Sequence, residues 1–77
     1  MKLGLIAGNG RFPFLILDAA RAQGLPVVVA AIREETDPEI EERAASDTGI
    51  ALHWLSLGEL SKLIETFQKA GVSRVLF

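Results

Sequence analysis

Leu3-Gly4-Leu5-Ile6-Ala7-Gly8-Asn9-Gly10-Arg11-Phe12-Pro13 decides the fold of this chain. Residues 2–7 read as a short strand, apolar without alternation from Leu3 onward, as expected where both faces are covered. The glycines then turn the chain directly onto a helix. Pro13 suits its first position, where a missing N–H costs nothing and φ is already helical. A strand–glycine–helix junction brings backbone close to a ligand and aims helix N-terminal N–H groups at it, which is anion chemistry, most often phosphate. The pattern Gly8-x-Gly10-x-x-Pro13 departs from the G-x-G-x-x-G of a dinucleotide site at its third glycine.

Outward from this turn the elements alternate. The helix runs to Gln23, where Gly24 gives a left-handed stop and Pro26 prevents continuation. Residues 26–32 are apolar and rich in valine, a second interior strand. Arg33–Asp37 is a polar loop. Asp37-Pro38 then caps and starts a short acidic helix reaching about Ala45. After a turn at 46–49, Ile50–Leu55 reads as a more polar third strand near an edge. Ser56-Leu57-Gly58-Glu59 has capping-box spacing ahead of Leu60, Leu63, Ile64 and Phe67, and Lys69-Ala70-Gly71 closes that helix. Val72–Phe77 begins a fourth strand. This β-α-β-α-β-α-β order predicts an α/β, Rossmann-like fold with a mainly parallel sheet in the order 3-2-1-4 and right-handed crossovers. The last strand stops at Phe77 without turn or cap, so the reading expects residues 1–77 to be part of a longer N-terminal domain.

Composition narrows the function classes. Seventy-seven residues make one small domain, yet 49% of them are hydrophobic. So much apolar surface on so short a chain anticipates a partner domain or subunit, including a homo-oligomer. The net charge of −2, with no basic run, argues against a nucleic-acid partner. The absence of cysteine rules out disulfides and thiolate metal sites. Leu25–Ile32, the longest apolar stretch, is too short to span a bilayer. Met1-Lys2 and the apolar run behind it lack a signal-peptide cleavage site, and the chain reads as cytoplasmic.

Chemistry concentrates at the first turn. Gly8, Asn9, Gly10 and Arg11 are the candidate phosphate- and substrate-binding residues, with Asn9 offering donor and acceptor atoms and Arg11 a guanidinium fork. The same glycines would also serve a bare tight turn, with Asn9 tolerating a left-handed conformation. Under a nicotinamide reading, Glu34 or Glu35 would hold a ribose and Arg33 a 2′-phosphate, although Pro13 stands where close helix–strand packing wants glycine. The acidic run Glu34, Glu35, Asp37, Glu39, Glu41 and Glu42 reads as a solvated face rather than a metal site. His53 has no partner histidine or cysteine, and Trp54 reads as packing. No nucleophile–base set exists at recognisable spacing, so no catalytic residue and no metal ligand is assigned.

The stretch Leu5-Ile6-Ala7-Gly8-Asn9-Gly10-Arg11-Phe12-Pro13 resembles the opening signature of the LpxI-type UDP-2,3-diacylglucosamine pyrophosphatases of lipid A biosynthesis. Ala19-Ala20-Arg21-Ala22-Gln23-Gly24, Thr36-Asp37-Pro38, Leu57-Gly58-Glu59-Leu60 with Leu63-Ile64, and Ala70-Gly71-Val72 agree with later parts of it. The resemblance implies a Mg²⁺-dependent hydrolase that splits a UDP-linked lipid precursor into UMP and 2,3-diacylglucosamine 1-phosphate. It also implies a C-terminal catalytic domain absent from these residues. The 77 residues alone are then expected to bind substrate without turning it over. A lipid-linked substrate further implies contact with the periphery of the inner membrane. Two other readings stand beside this one: an NAD(P)- or nucleotide-binding module unrelated to lipid A, and a non-catalytic assembly module.

Overall fold

A computed structural model describes residues 1–76, apart from the Leu60 side chain. Its elements are β1 (Leu3–Ala7), α1 (Phe12–Ala22), β2 (Val27–Ile32), α2 (Glu39–Ala45), β3 (Ile50–Leu55), a 3-10 turn (Leu57–Glu59), α3 (Leu60–Ala70) and β4 (Arg74–Leu76). The four strands form one parallel sheet in the order β3-β2-β1-β4. β1 pairs with β2 from Leu3↔Val27 to Ala7↔Ala31, and with β4 from Leu3↔Arg74 to Leu5↔Leu76. β3 is indeed an edge strand, which accounts for its partly exposed pattern, whereas β2 is buried at every position.

Strand alternation sorts the core into two layers. Leu3, Leu5, Ala7, Val27, Val29 and Ala31 meet Phe14, Leu17 and Ala20 of α1 and Ile40 of α2 on one face. On the other face, Val28, Ala30 and Leu55 meet Phe67 of α3, flanked by Ile6, Leu63, Ala70 and Val72. Burying a side chain such as Leu5 or Val29 completely contributes about 1.5–3 kcal/mol. At Gly4 the sheet is closely covered: a Cβ there would stand 2.8 Å from Val72 Cγ1 and 3.2 Å from the Phe67 ring. α1 and α2 cover one face and α3 the other, as a reversal of strand progression requires. That reversal lies between β1 and β4, beside the carboxyl end of β1.

Boundaries follow local chemistry. Gly24 (φ 67°) and Gly71 (φ 74°) adopt the left-handed conformation after α1 and α3. The α2 cap is present, since Asp37 Oδ1 accepts the Glu39 N–H at 2.9 Å. Only half of the expected capping box forms. Glu59 Oε1 accepts the Ser56 N–H at 2.9 Å, while the Ser56 hydroxyl makes no reciprocal bond to Glu59. The chain therefore starts with a 3-10 turn over Leu57–Glu59 before α3 proper. The Ser56 N–H and the Lys62 ammonium together hold the Glu59 carboxyl below the usual glutamate range. β4 begins two residues later than anticipated because Val72 is used against Gly4, and Ser73 bonds the Lys2 carbonyl through both its N–H and its hydroxyl. The expected continuation through Phe77 lies outside the described residues.

Candidate functional site

The carboxyl end of β1 releases the chain at Ala7 into a turn that reaches α1 within a few residues. Gly10 carries φ +81°, and a Cβ added there would meet nothing within 4 Å, so backbone conformation rather than crowding calls for glycine. Gly8 has no positive φ and a Cβ on it would meet only Glu35 Oε2, at 3.9 Å. Pro13 is the second helical residue, not the first, and its ring is fully buried. A buried ring thus stands where a dinucleotide turn would carry its third glycine.

Donors accumulate along this turn. Among the described residues, the N–H groups of Asn9, Gly10, Arg11 and Phe12 donate to no protein acceptor. The first helical bonds run from Phe14 and Leu15 back to the Arg11 carbonyl, at 3.0 and 3.3 Å. Unpaired N–H groups at the start of an eleven-residue helix add their partial positive charge at one point. Asn9 is exposed, and its amide makes no hydrogen bond among the described residues. Arg11 is also exposed, but its fork is partly engaged: Nη1 donates to Glu39 Oε2 at 3.1 Å, and the guanidinium lies 4.2 Å over the Phe14 ring. Its remaining N–H groups are available to a ligand.

Sequence reasoning missed the part played by Thr36. It is buried, and its hydroxyl donates to the Ala7 carbonyl while accepting the Ile32 N–H at 2.9 Å. One hydroxyl therefore joins the carboxyl ends of β1 and β2 and holds the 33–37 turn against the glycine turn. A lone threonine in a charged loop between an apolar strand and an Asp-Pro cap was the available signal.

The other residues singled out in the sequence lie around or away from this rim. Glu34 Oε1 accepts the Leu57 N–H at 3.1 Å, and Arg33 reaches toward the Trp54 carbonyl. Trp54 packs at the border of the α1–α2 layer, with Nε1 donating to Glu41 Oε1 at 2.8 Å. His53 is exposed on β3. Arg43 and Asp18 pair across a groove of about 430 Å³ between α1 and α2, which also carries Arg11, Glu39 and Glu42. Among the described residues, no group of three or more His, Cys, Asp or Glu side chains could hold a metal ion. No described helix is long and apolar enough to cross a membrane.

A parallel sheet in the order 3-2-1-4, opening through a glycine turn onto the start of α1 at its switch point, defines a Rossmann-like α/β domain. Residues 2–77 match the family model of the LpxI N-terminal domain, and the chain belongs to that family. It is 32% identical over 76 residues to the UDP-2,3-diacylglucosamine pyrophosphatase LpxI of Caulobacter vibrioides. That match takes in 99% of this chain and 25% of the relative, so the chain spans about a quarter of the length of the curated relative. No solved structure gives a significant match.

Proposed function

We propose that this chain is the substrate-holding, N-terminal part of a UDP-2,3-diacylglucosamine pyrophosphatase, a hydrolase of lipid A biosynthesis. The observation that carries the reading is the run of unpaired N–H groups from Asn9 to Phe12 around left-handed Gly10. Gly8 and Gly10 let the diphosphate approach the backbone, while the Asn9 amide and the free N–H groups of Arg11 close on its oxygens. Donors fixed in this way stabilise charge that grows on a phosphate oxygen as the P–O bond to the leaving group breaks. The relative's name supplies the substrate class, a UDP-linked lipid. Mg²⁺ would be held by residues outside this chain and supply further charge neutralisation, and no step here is routed through it.

Activation of water and the catalytic acid are likewise assigned outside residues 1–77, so these residues alone are proposed to be inactive. The same proposal puts the parent enzyme in the cytoplasm at the periphery of the inner membrane, a reading that a lipid-linked substrate supports. The test is kinetic: in the full-length protein, Asn9→Ala and Arg11→Ala should each lower kcat/KM about tenfold or more. Unchanged kinetics in both variants would remove the turn from the site and favour an assembly role. Turnover of the UDP-lipid by residues 1–77 alone, with Mg²⁺, would overturn the division of labour.

A further inference from the structure

On one side the sheet ends at β3, and no described strand covers its outer edge. Edge strands are commonly blunted by charge, proline or a bulge. β3 has none of these: Ile50-Ala51-Leu52-His53-Trp54-Leu55 runs in unbroken register against β2. That register decides which groups the edge offers. The Val27 N–H donates to the Gly49 carbonyl at 2.8 Å and the Arg33 N–H to the Leu55 carbonyl at 2.9 Å, so the odd-numbered residues of β3 turn their backbone groups toward β2. Ile50, Leu52 and Trp54 turn theirs outward. Two of those outward groups are already used inside the chain. The Ile50 N–H donates to the Asp47 carbonyl at 3.1 Å, and the Trp54 carbonyl accepts from Arg33 Nη2 at 3.4 Å. Among the described residues, the Ile50 carbonyl, both backbone groups of Leu52 and the Trp54 N–H have no partner.

The groups left free are self-complementary. In antiparallel pairing about a twofold axis at Leu52, each Leu52 N–H meets the Leu52 carbonyl of the other copy, and each Trp54 N–H meets the partner's Ile50 carbonyl. Every free group is then paired and no engaged group has to be released. An axis at Ala51 would need the Ile50 N–H instead, and one at His53 the Trp54 carbonyl, both of which are taken. The side chains agree with the axis at Leu52. It sets Leu52 opposite Leu52 and Ile50 opposite Trp54, half-buried apolar groups that all lie on the α1–α2 face. Charge agrees as well: Arg33 lies at the Trp54 end of the edge and Asp47 at the Ile50 end, so each exposed Arg33 comes beside the partner's Asp47. A strand of an unrelated protein would gain nothing from this symmetry. We propose that the outer edge of β3 joins two copies of this chain, giving one sheet that runs from β4 of one copy to β4 of the other.

The experiment is sedimentation of the full-length protein at tens of micromolar, combined with cysteine pairing. Wild type should sediment as a dimer or an even multiple of one. Across this axis Ala51 and the partner's His53 form a non-hydrogen-bonded pair with Cα atoms about 4.5 Å apart, within disulfide reach. Both residues are exposed, so cysteine should be tolerated at either. A mixture of Ala51→Cys and His53→Cys proteins should oxidise to a dimer bridged between positions 51 and 53, identified by peptide mass. Either variant alone should bridge about tenfold less or not at all, because each position stands diagonally from itself. Leu52→Pro removes an outward donor only, which an edge strand tolerates, and should weaken the dimer about tenfold or more while the protomer stays folded. A monomeric wild type overturns the proposal, and so does a dimer that folded Leu52→Pro leaves intact. Failure of the mixed cysteines to bridge overturns it too, and would place the contact elsewhere or leave the edge to another partner. Should Leu52→Pro not fold, the mixed-cysteine result decides alone.

Discussion

Replacing Thr36 by valine keeps the branched shape of the side chain and removes one hydroxyl. In the folded protein that hydroxyl serves two buried partners, the Ala7 carbonyl and the Ile32 N–H. Each partner left without a bond away from water costs about 1–3 kcal/mol, so the substitution should cost about 2–6 kcal/mol in all. The Thr36 N–H keeps its own bond to the Ile32 carbonyl, at 2.8 Å, which limits the loss to the hydroxyl. A domain of this size has roughly 4–12 kcal/mol of stability, so the effect consumes a large fraction of it. Urea titration followed by Trp54 fluorescence reads the result, because Trp54 is the single tryptophan and sits partly buried on β3. The midpoint should fall with little change in slope, and Thr36→Ser should stay within about 1 kcal/mol of wild type. A loss below about 0.5 kcal/mol for valine would show that the hydroxyl does not join the two strands.

Gly4→Ala should destabilise by about 1–3 kcal/mol by the same assay, since its Cβ would collide with Val72 and the Phe67 ring; a neutral result would mean that α3 does not lie against β1 at this point. Gly10→Ala meets no atoms and should cost only about 1–2 kcal/mol through its left-handed backbone, while lowering substrate affinity more steeply than stability. Glu59→Gln tests the start of α3 by pH. The folded carboxyl binds its proton less readily than the unfolded one, so its contribution is whole above the ordinary glutamate value and disappears as pH falls through the lower folded value. Between ~pH 5.5 and ~pH 3 the urea midpoint of the variant should therefore fall less than that of wild type.

Much of the architecture was legible because the punctuation is strong. Gly24, Pro26, Asp37-Pro38 and Gly71 separate apolar runs whose lengths suit strands or helices, and parallel order follows from the short alternating connections. Where the reading slipped, tertiary contacts had displaced local preference. Val72 and Ser73 look like strand residues but are used against Gly4 and Lys2, and Gly58 weakens the first turn that the capping-box spacing promised. The glycine turn was visible as a candidate from its residues alone. The part played by Thr36 was not, since its hydroxyl acts on a strand 29 residues earlier in the chain, a contact that no local pattern announces.

The register of β1 against β4 has a consequence for synthesis. The strand made first is closed on its second edge by Arg74–Leu76, the last strand made among the described residues, with Lys2 also reaching the Ala70 carbonyl. A nascent chain can assemble β3-β2-β1 once Leu55 has emerged, but until α3 and β4 follow it offers an unpaired strand edge and an uncovered apolar face. In the interval between those two events the chain is exposed to mispairing on the ribosome, and Gly4, bare of any side chain, lies on the strand at that open edge.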